Sequence, residues 1–502
     1  MLPSSAQFPG IALRTLWPTA ELHGVRDLRA TSCSGDSRAV LPGDVFVAMD
    51  GAEYDGHEFA AHAVARGAVA IIAERPLPLC GVPVCVVGDS RRAYGELCHA
   101  LAGEPAKNLK VIGVTGESGK TTVALLVAAV LEEAGFRAGL LSSLGWHDGI
   151  ESHPPRTLTA PGIAGALAEM QANGCTHAVV EIPSGALADT RLAGLELAGA
   201  CVTNLTSEHS GAAVARSCMA AASFFARLAG DGFAVLNTDD PTIARLSERV
   251  DRPALTVGLG ADAQVTATPI EQLKSEQTFL LSAGSDSAVV RTFPVGQHHI
   301  SNCLIAAAVG LAHGIELATI VRGLEQVRHI PGRLERIECG QSFGVFVDGV
   351  RSARSLAHSL SVLRRVTTGR LICVLGGDQL ATDRHRLRLG RAAEAGADLA
   401  IVTCGADGAE DGSPLAEQIM AGFEQPALAE LVPNRARAIA RALASAEDGD
   451  TVLIATSGSE LGMSDAGSNS DDRQIARRLL YNIDPFDSDA RSDDAWMPIG
   501  NH

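Results

Sequence analysis

Leu109-Lys110-Val111-Ile112-Gly113-Val114-Thr115-Gly116-Glu117-Ser118-Gly119-Lys120-Thr121-Thr122 runs from an apolar stretch through a glycine-rich turn into a helical pattern ending near Ala134. A buried strand that delivers glycines to the start of a helix builds a phosphate cradle. Missing side chains let backbone N–H groups turn toward an anion, and the helix dipole adds to them. In such a loop Lys120 reaches the β- and γ-phosphates of a nucleotide, and the Thr121 hydroxyl suits Mg²⁺. The bland alternative is a chance Gly-Lys-Thr in a surface turn. Strand, glycines, lysine, paired threonines and helix in one run argue against it. So does composition, because only four of the 41 basic side chains are lysine (Lys107, Lys110, Lys120 and Lys274).

Around this loop the chain reads as α/β. Downstream, Gly139-Leu140-Leu141, Ala178-Val179-Val180-Glu181, Ala200-Cys201-Val202-Thr203 and Phe233-Ala234-Val235-Leu236 are apolar runs separated by helical patterns. That alternation predicts a doubly wound parallel sheet. Upstream, Val45–Met49, Ala68–Ile72 and Val82–Val87 read as short strands, with a helix over Glu58–Arg66. Beyond Pro331-Gly332-Arg333, strands are expected at Gly344–Asp348, Leu371–Gly377, Leu399–Val402 and Thr451–Ile454. Three domains are therefore expected: a small α/β domain over 1–108, a central phosphate-loop domain over 109–335, and a Rossmann-like domain over 336–483. The Asp-, Ser- and Pro-rich stretch 484–502 reads as a flexible tail.

The 502 residues carry a net charge of −17, with 46 % hydrophobic and 20 % charged side chains. So acidic a chain is a poor match for nucleic acid or an anionic membrane. The eleven cysteines show no Cys-x-x-Cys spacing, which predicts reduced, mostly buried thiols rather than a disulfide framework or a zinc ribbon. Met1–Gln7 lacks a basic region followed by an apolar core, and no run of about 18 apolar residues occurs, so a cytoplasmic protein is expected.

From the loop outward the sequence resembles the Mur ligases, and among them the MurE-type synthetases that extend UDP-N-acetylmuramoyl-dipeptide. The likeness runs over about residues 27–482. Asp36-Ser37-Arg38, Pro42-Gly43-Asp44 and Asp55-Gly56-His57 are similar to the family's uridine-binding domain. Thr115–Thr122 matches a loop form that also lacks the first Walker glycine, which accounts for Val114. Thr159-Ala160-Pro161, Glu181–Arg191, Thr203–His209, Asn237–Asp240, Asn302, Pro331–Glu335, Phe346–Asp348, Gly376–Asp378 and Asp472–Arg477 continue the series in order.

The resemblance implies ATP and Mg²⁺ as cofactors, and a UDP-N-acetylmuramoyl-peptide and an amino acid as substrates, with a monomer expected. It implies ATP contacts from Gly116, Glu117, Ser118, Gly119, Lys120, Thr121, Thr122, His299, Asn302, Arg333 and Asp348. Thr121, Glu181 and His209 would hold metal, and Ser37, Arg38, Thr159, Ser184 and Arg191 would hold the UDP-sugar or its peptide. By residue type alone, Glu181 could equally cap a helix, and a histidine such as His209 is more often structural than a ligand.

Departures from the family pattern gather in the chemistry. The lysine that is carbamoylated in most members falls at Ser223, and no lysine lies between Lys120 and Lys274. His299 stands where an adenine-contacting asparagine belongs, and Arg351 stands for a histidine. Thr403–Gly408 lacks the Asp-Asn-Pro-Arg motif, and Thr456–Glu460 retains only a glycine and the glutamate of Gly-Lys-Gly-His-Glu. Two readings follow: an ATP-dependent amide ligase of the MurE type, or a catalytically impaired homologue that binds nucleotide or UDP-sugar and regulates a true ligase. A ligase for a different carboxylate, as in folylpolyglutamate synthetases, is a third, against which the Asp36–Arg38 domain argues.

Overall fold

The computed structural model describes residues 10–51, 54–77, 81–187, 192–205, 211–247, 250–260, 262–273, 275–350, 352–376, 382–404, 414–456 and 471–481. They fall into two compact units, Met1–Val265 with Leu304–Glu316 and Thr266–Cys303 with Leu317–His502.

The first unit contains an antiparallel pairing of Ile11–Ala12 with Arg29–Ala30 and two larger sheets. The smaller has the order Glu21–His23, Val84–Val86, Ala70–Ala73, Val45–Val47, Cys33–Ser34, parallel except at its first junction. Its central strands Ala70–Ala73 and Val45–Val47 are short apolar runs buried on both faces, which is why they read as continuous apolar blocks. The expected helix after the first of them is a 3₁₀ turn over Gly56–Phe59 followed by an α-helix over Ala60–Ala65.

The larger sheet has Lys110–Thr115 at its centre. On one side lie His177–Glu181, Ala138–Ser142 and a hairpin of Gly145–His147 with Ser152–His153; on the other lie Leu197–Val202, Leu228–Asn237 and Ala254–Gly258. All junctions from Ala138–Ser142 to Ala254–Gly258 are parallel, and only the hairpin is antiparallel. The chain leaves the central strand toward one edge, returns beside it, then crosses to the other side. That reversal opens a crevice at the carboxyl ends of the strands, where α/β folds bind ligands.

The helix Lys120–Glu133 packs against this sheet and is buried through eleven of its fourteen residues, Thr121 to Leu131. Its Ala, Leu and Val composition suits a helix with no solvated face. It ends at Gly135, whose φ of +84° lets Phe136 N–H return to Leu131 O at 3.0 Å.

The second unit is built on a six-stranded sheet, in the order Glu335–Arg336, Gly344–Gly349, Thr451–Thr456, Leu371–Gly376, Leu399–Thr403, Ala429–Leu431. It is parallel except at its first junction. Two apolar clusters cover its faces, one around Leu356, Leu360 and Leu363 and the other around Ile439, Ala442 and Ile475. The same unit holds an antiparallel hairpin of Gln277–Ala283 with Asp286–Thr292.

Candidate active site

The phosphate loop sits where the central strand ends. Thr115 is fully buried and donates its hydroxyl to Ile182 O at 2.9 Å, tying the loop to the end of the adjacent strand. Gly116 follows with φ +140°, and a Cβ there would lie 2.0 Å from Thr203 Oγ1, so only glycine fits. Gly119, at φ +81°, turns the chain into the helix. Lys120 lies back over its own loop, its Nζ donating to Gly116 O at 2.8 Å and Glu117 O at 3.0 Å.

Below the loop is a buried polar group. Thr121 is 3 % exposed and Glu181, the last residue of its strand, 4 %. Thr121 Oγ1 donates to Glu181 Oε2 at 3.0 Å and lies 3.2 Å from Ser143 Oγ. Ser143 N–H donates to the same carboxylate oxygen at 2.8 Å. A carboxylate and a hydroxyl so close together offer hard oxygens, the donor type Mg²⁺ prefers. Among the described residues no cluster of three or more His, Cys, Asp or Glu could hold a metal by itself. A few protein oxygens completed by phosphate oxygens are the usual manner of Mg²⁺ binding, so the residues present fit that ion.

The far side of the loop is held by the end of the next strand. Thr203 Oγ1 donates to Ser118 O at 2.6 Å. Asn204 Oδ1 accepts from Glu117 N–H at 3.1 Å and Ser118 N–H at 3.0 Å, while its Nδ2 donates to Ser118 O at 2.9 Å and to Ser118 Oγ at 3.0 Å. Ser143 carries no sequence signal, and Asn204 lies in the Thr203–His209 motif, but the contacts of both with the loop arise only through tertiary proximity.

Also in the first unit, Ser37 is buried with its Oγ 3.2 Å from His62 Nδ1, and Arg38 is exposed and paired with Asp36 at 2.8 Å. Hydrogen bonds from Arg38 hold the Asp36 carboxyl below its ordinary range. Thr159 caps the helix Ala160–Ala172 by accepting from Gly162 N–H at 3.3 Å. The segment leading to it is fixed by Arg156, which lies 4.4 Å over the Trp146 ring and pairs with Glu169 at 3.0 Å. A small apolar cluster joins Cys33 and Cys98 to Ala160 and Ala164, so the small sheet and the Thr159 helix share packing. Ser184 is exposed at the start of a short helix, and Ser223, on Gly211–Phe225, is exposed with its hydroxyl donating to Ala220 O at 2.8 Å. Arg191, His209, Arg351, 405–408 and 457–460 lie outside the described residues.

In the second unit the expected nucleotide residues are placed as follows. Arg333 Nη1 donates to Gly349 O at 3.2 Å. Asp348 is buried; its Oδ1 accepts from Leu334 N–H at 3.1 Å and its Oδ2 from the Ser359 hydroxyl. Burial raises the Asp348 carboxyl pKa despite those donors. One oxygen thus holds the turn Pro331–Leu334, whose Leu334 has φ +43°, and the other holds the helix Ala353–Val366. Asn302 is buried at 6 % exposure. His299 is 2 % exposed with Nε2 3.5 Å from Cys303 Sγ, and burial pushes its pKa down to about 4, so the ring is a neutral interior group. The adjacent His298 is half-buried and meets His358 across 3.0 Å.

Models of three domains match the chain in order: "Mur ligase family, catalytic domain" over 30–101, "Mur ligase middle domain" over 114–310, and "Mur ligase, glutamate ligase domain" over 332–458. The UDP-N-acetylmuramoyl-L-alanyl-D-glutamate–2,6-diaminopimelate ligase of Geobacillus thermodenitrificans is 35 % identical over 460 residues, which is 89 % of this chain and 94 % of that protein. The chain belongs to the Mur ligase family. Its Bacillus licheniformis relative of the same name is 33 % identical over 92 % of this chain and 96 % of its own length. A solved structure of a ligase of that name superposes with a TM-score of 0.66 at 24 % identity, covering 89 % of this chain and 94 % of the other. That likeness speaks to the Mur ligase fold.

Proposed function

We propose that this Mur ligase uses ATP to join an amino acid to a UDP-N-acetylmuramoyl-peptide, as a MurE-type step of peptidoglycan precursor synthesis. The observation that carries the reading is the meeting of loop and buried carboxylate, with Thr121 Oγ1 3.0 Å from Glu181 Oε2 beneath Lys120. The reaction has two steps. The substrate carboxylate attacks the γ-phosphorus of ATP, giving an acyl phosphate and ADP. The amino group of the incoming residue then attacks the acyl carbon, phosphate leaves, and the nitrogen loses a proton to become an amide. Catalysis here is positioning and charge neutralisation. Lys120 swings from its loop carbonyls to the β- and γ-phosphates. Thr121 and Glu181 are the oxygens that would hold Mg²⁺, which when bound would neutralise phosphate charge. Arg191 and the Asp36–Arg38 turn bind the anionic UDP-sugar, and Thr159 and Ser184 its peptide. His209 would supply a further metal ligand, while Asn302, Arg333 and Asp348 serve the nucleotide, Asp348 by holding the turn that bears Arg333. The three matched segments correspond to substrate, ATP and acceptor domains.

A cytoplasmic location suits these substrates, and among the described residues no helix is long and apolar enough to cross a membrane. The test is ADP release from purified protein given ATP, Mg²⁺, UDP-muramoyl-dipeptide and a panel of amino acids headed by diaminopimelate, for which the relatives are named. Turnover with none of them would end the ligase reading.

One observation favours the second reading, of a homologue that binds without turning over. Ser223 offers a neutral hydroxyl, already donated to Ala220 O, where most members carry an anionic carbamoyl-lysine. Because Ser223 is exposed on its helix, a lysine fits there without a burial cost. Ser223→Lys assayed in bicarbonate is expected to raise ADP release about tenfold, by analogy with the effect of losing one metal-supporting group. An unchanged rate would mean that this position does not limit the chemistry.

A further inference from the structure

The contacts around the phosphate loop divide its backbone donors into two sets. Glu117 N–H is shared between Asn204 O at 3.2 Å and Asn204 Oδ1 at 3.1 Å, and Ser118 N–H goes to Asn204 Oδ1 at 3.0 Å. The amides of Thr121 and Thr122 belong to the first turn of a helix, where no intrahelical acceptor exists. Asn204 also donates to Ser118 O and Ser118 Oγ, so one side chain closes four hydrogen bonds on two consecutive loop residues. Thr203 adds a fifth to the same carbonyl. Asn204 is 86 residues away from Ser118 in sequence, and it is brought there by the parallel pairing of Leu197–Val202 with the loop-bearing strand.

We propose that Asn204 is a positioning residue for nucleotide binding, a latch that fixes the shape of the loop tip before ATP arrives. The phosphates are then met by the first helical turn and Lys120, not by the amides of Glu117 and Ser118. The Ser118 hydroxyl, which accepts from Asn204 Nδ2 at 3.0 Å, is part of the latch. Without it the tip is a run of glycine-flanked backbone that nucleotide binding must order, and fixing even one residue's backbone opposes binding by an amount comparable to a tenfold change in affinity. The proposal rests on the reading of this loop as the ATP site.

The test compares wild type with Asn204→Ala, Asn204→Asp and Ser118→Ala, measuring ADP binding by calorimetry in Mg²⁺ together with KM for ATP, KM for the UDP-muramoyl substrate, and kcat. Asn204→Ala is expected to weaken ADP binding and raise KM for ATP about tenfold, or about 1.4 kcal/mol, with kcat and the other KM within about threefold. Asn204→Asp keeps the acceptor for the two amides but places a charge beside the phosphates. It is expected to weaken ADP binding more than alanine does, with the excess shrinking as salt is raised. Ser118→Ala, exposed and so harmless to folding, is expected to raise KM for ATP about twofold. Unchanged ADP binding in Asn204→Ala, or a loss in kcat and both KM values that merely tracks a lower Tm, would overturn the latch. Should Asn204→Ala not fold, Asn204→Asp and Ser118→Ala carry the same decision. Failure of wild type to bind ADP would overturn the reading of the site instead.

Discussion

Lys120→Ala is expected to lower the rate of ADP release by about 10³-fold, the order seen when a cation on a transferring phosphoryl group is removed. Lys120 is the first residue of the buried helix, with its ammonium on the carbonyls of Gly116 and Glu117. Those contacts hold it within a side-chain rotation of any anion seated on the loop. The Tm is expected to move little, since the helix is anchored by the apolar residues Val123 to Leu131 and not by this half-exposed side chain. Lys120→Arg should not rescue, because a planar guanidinium cannot replace a compact ammonium in a tight glycine turn. The measurement is single-turnover ADP formation beside a thermal melt. Activity within tenfold of wild type would mean that the loop does not bear on phosphoryl transfer.

Glu181→Gln is expected to cost about 10²-fold in rate at fixed Mg²⁺, and to raise the Mg²⁺ concentration needed for half-maximal activity. The amide is isosteric, and its oxygen still accepts from Thr121 Oγ1 and Ser143 N–H, so the local geometry survives and only the charge is lost. Removing a charge that is 4 % exposed should leave the Tm equal or higher. Lower activity at unchanged or higher stability is a combination that a folding defect cannot produce. A Mg²⁺ titration that superposes on wild type would sink the assignment of Glu181 to the metal.

Much of this layout was legible in the sequence, and the physical reason differs by feature. Parallel strands buried on both faces, such as Lys110–Thr115 and Leu371–Gly376, announce themselves as uninterrupted apolar runs. The antiparallel Gln277–Thr292 hairpin did not, because its strands mix exposed and buried positions and its turn is a Gly-Ser pair among other small residues. The loop was legible since its glycines are forced by local geometry, with Gly116 facing Thr203. The latch contact was not, since a hydrogen bond across 86 residues leaves no local trace, although Asn204 itself lies in the Thr203–His209 motif. Asp348 and His299 were read as nucleotide contacts from their places in motifs. Motif position says nothing of side-chain direction: Asp348 spends both oxygens on Leu334 and Ser359, and His299 turns toward Cys303.

The Leu334 turn has a consequence for how this chain tolerates change. A leucine at φ +43° sits about 1–2 kcal/mol above its relaxed backbone, and the hydrogen bond from its N–H to Asp348 helps to hold it there. Losing the carboxylate therefore releases a loaded turn and with it Arg333. In a Leu334→Gly background the same turn carries no load, and the carboxylate becomes dispensable for its shape. The two positions are thus bound by epistasis: the order in which a lineage changes them decides whether the intermediate is crippled or silent.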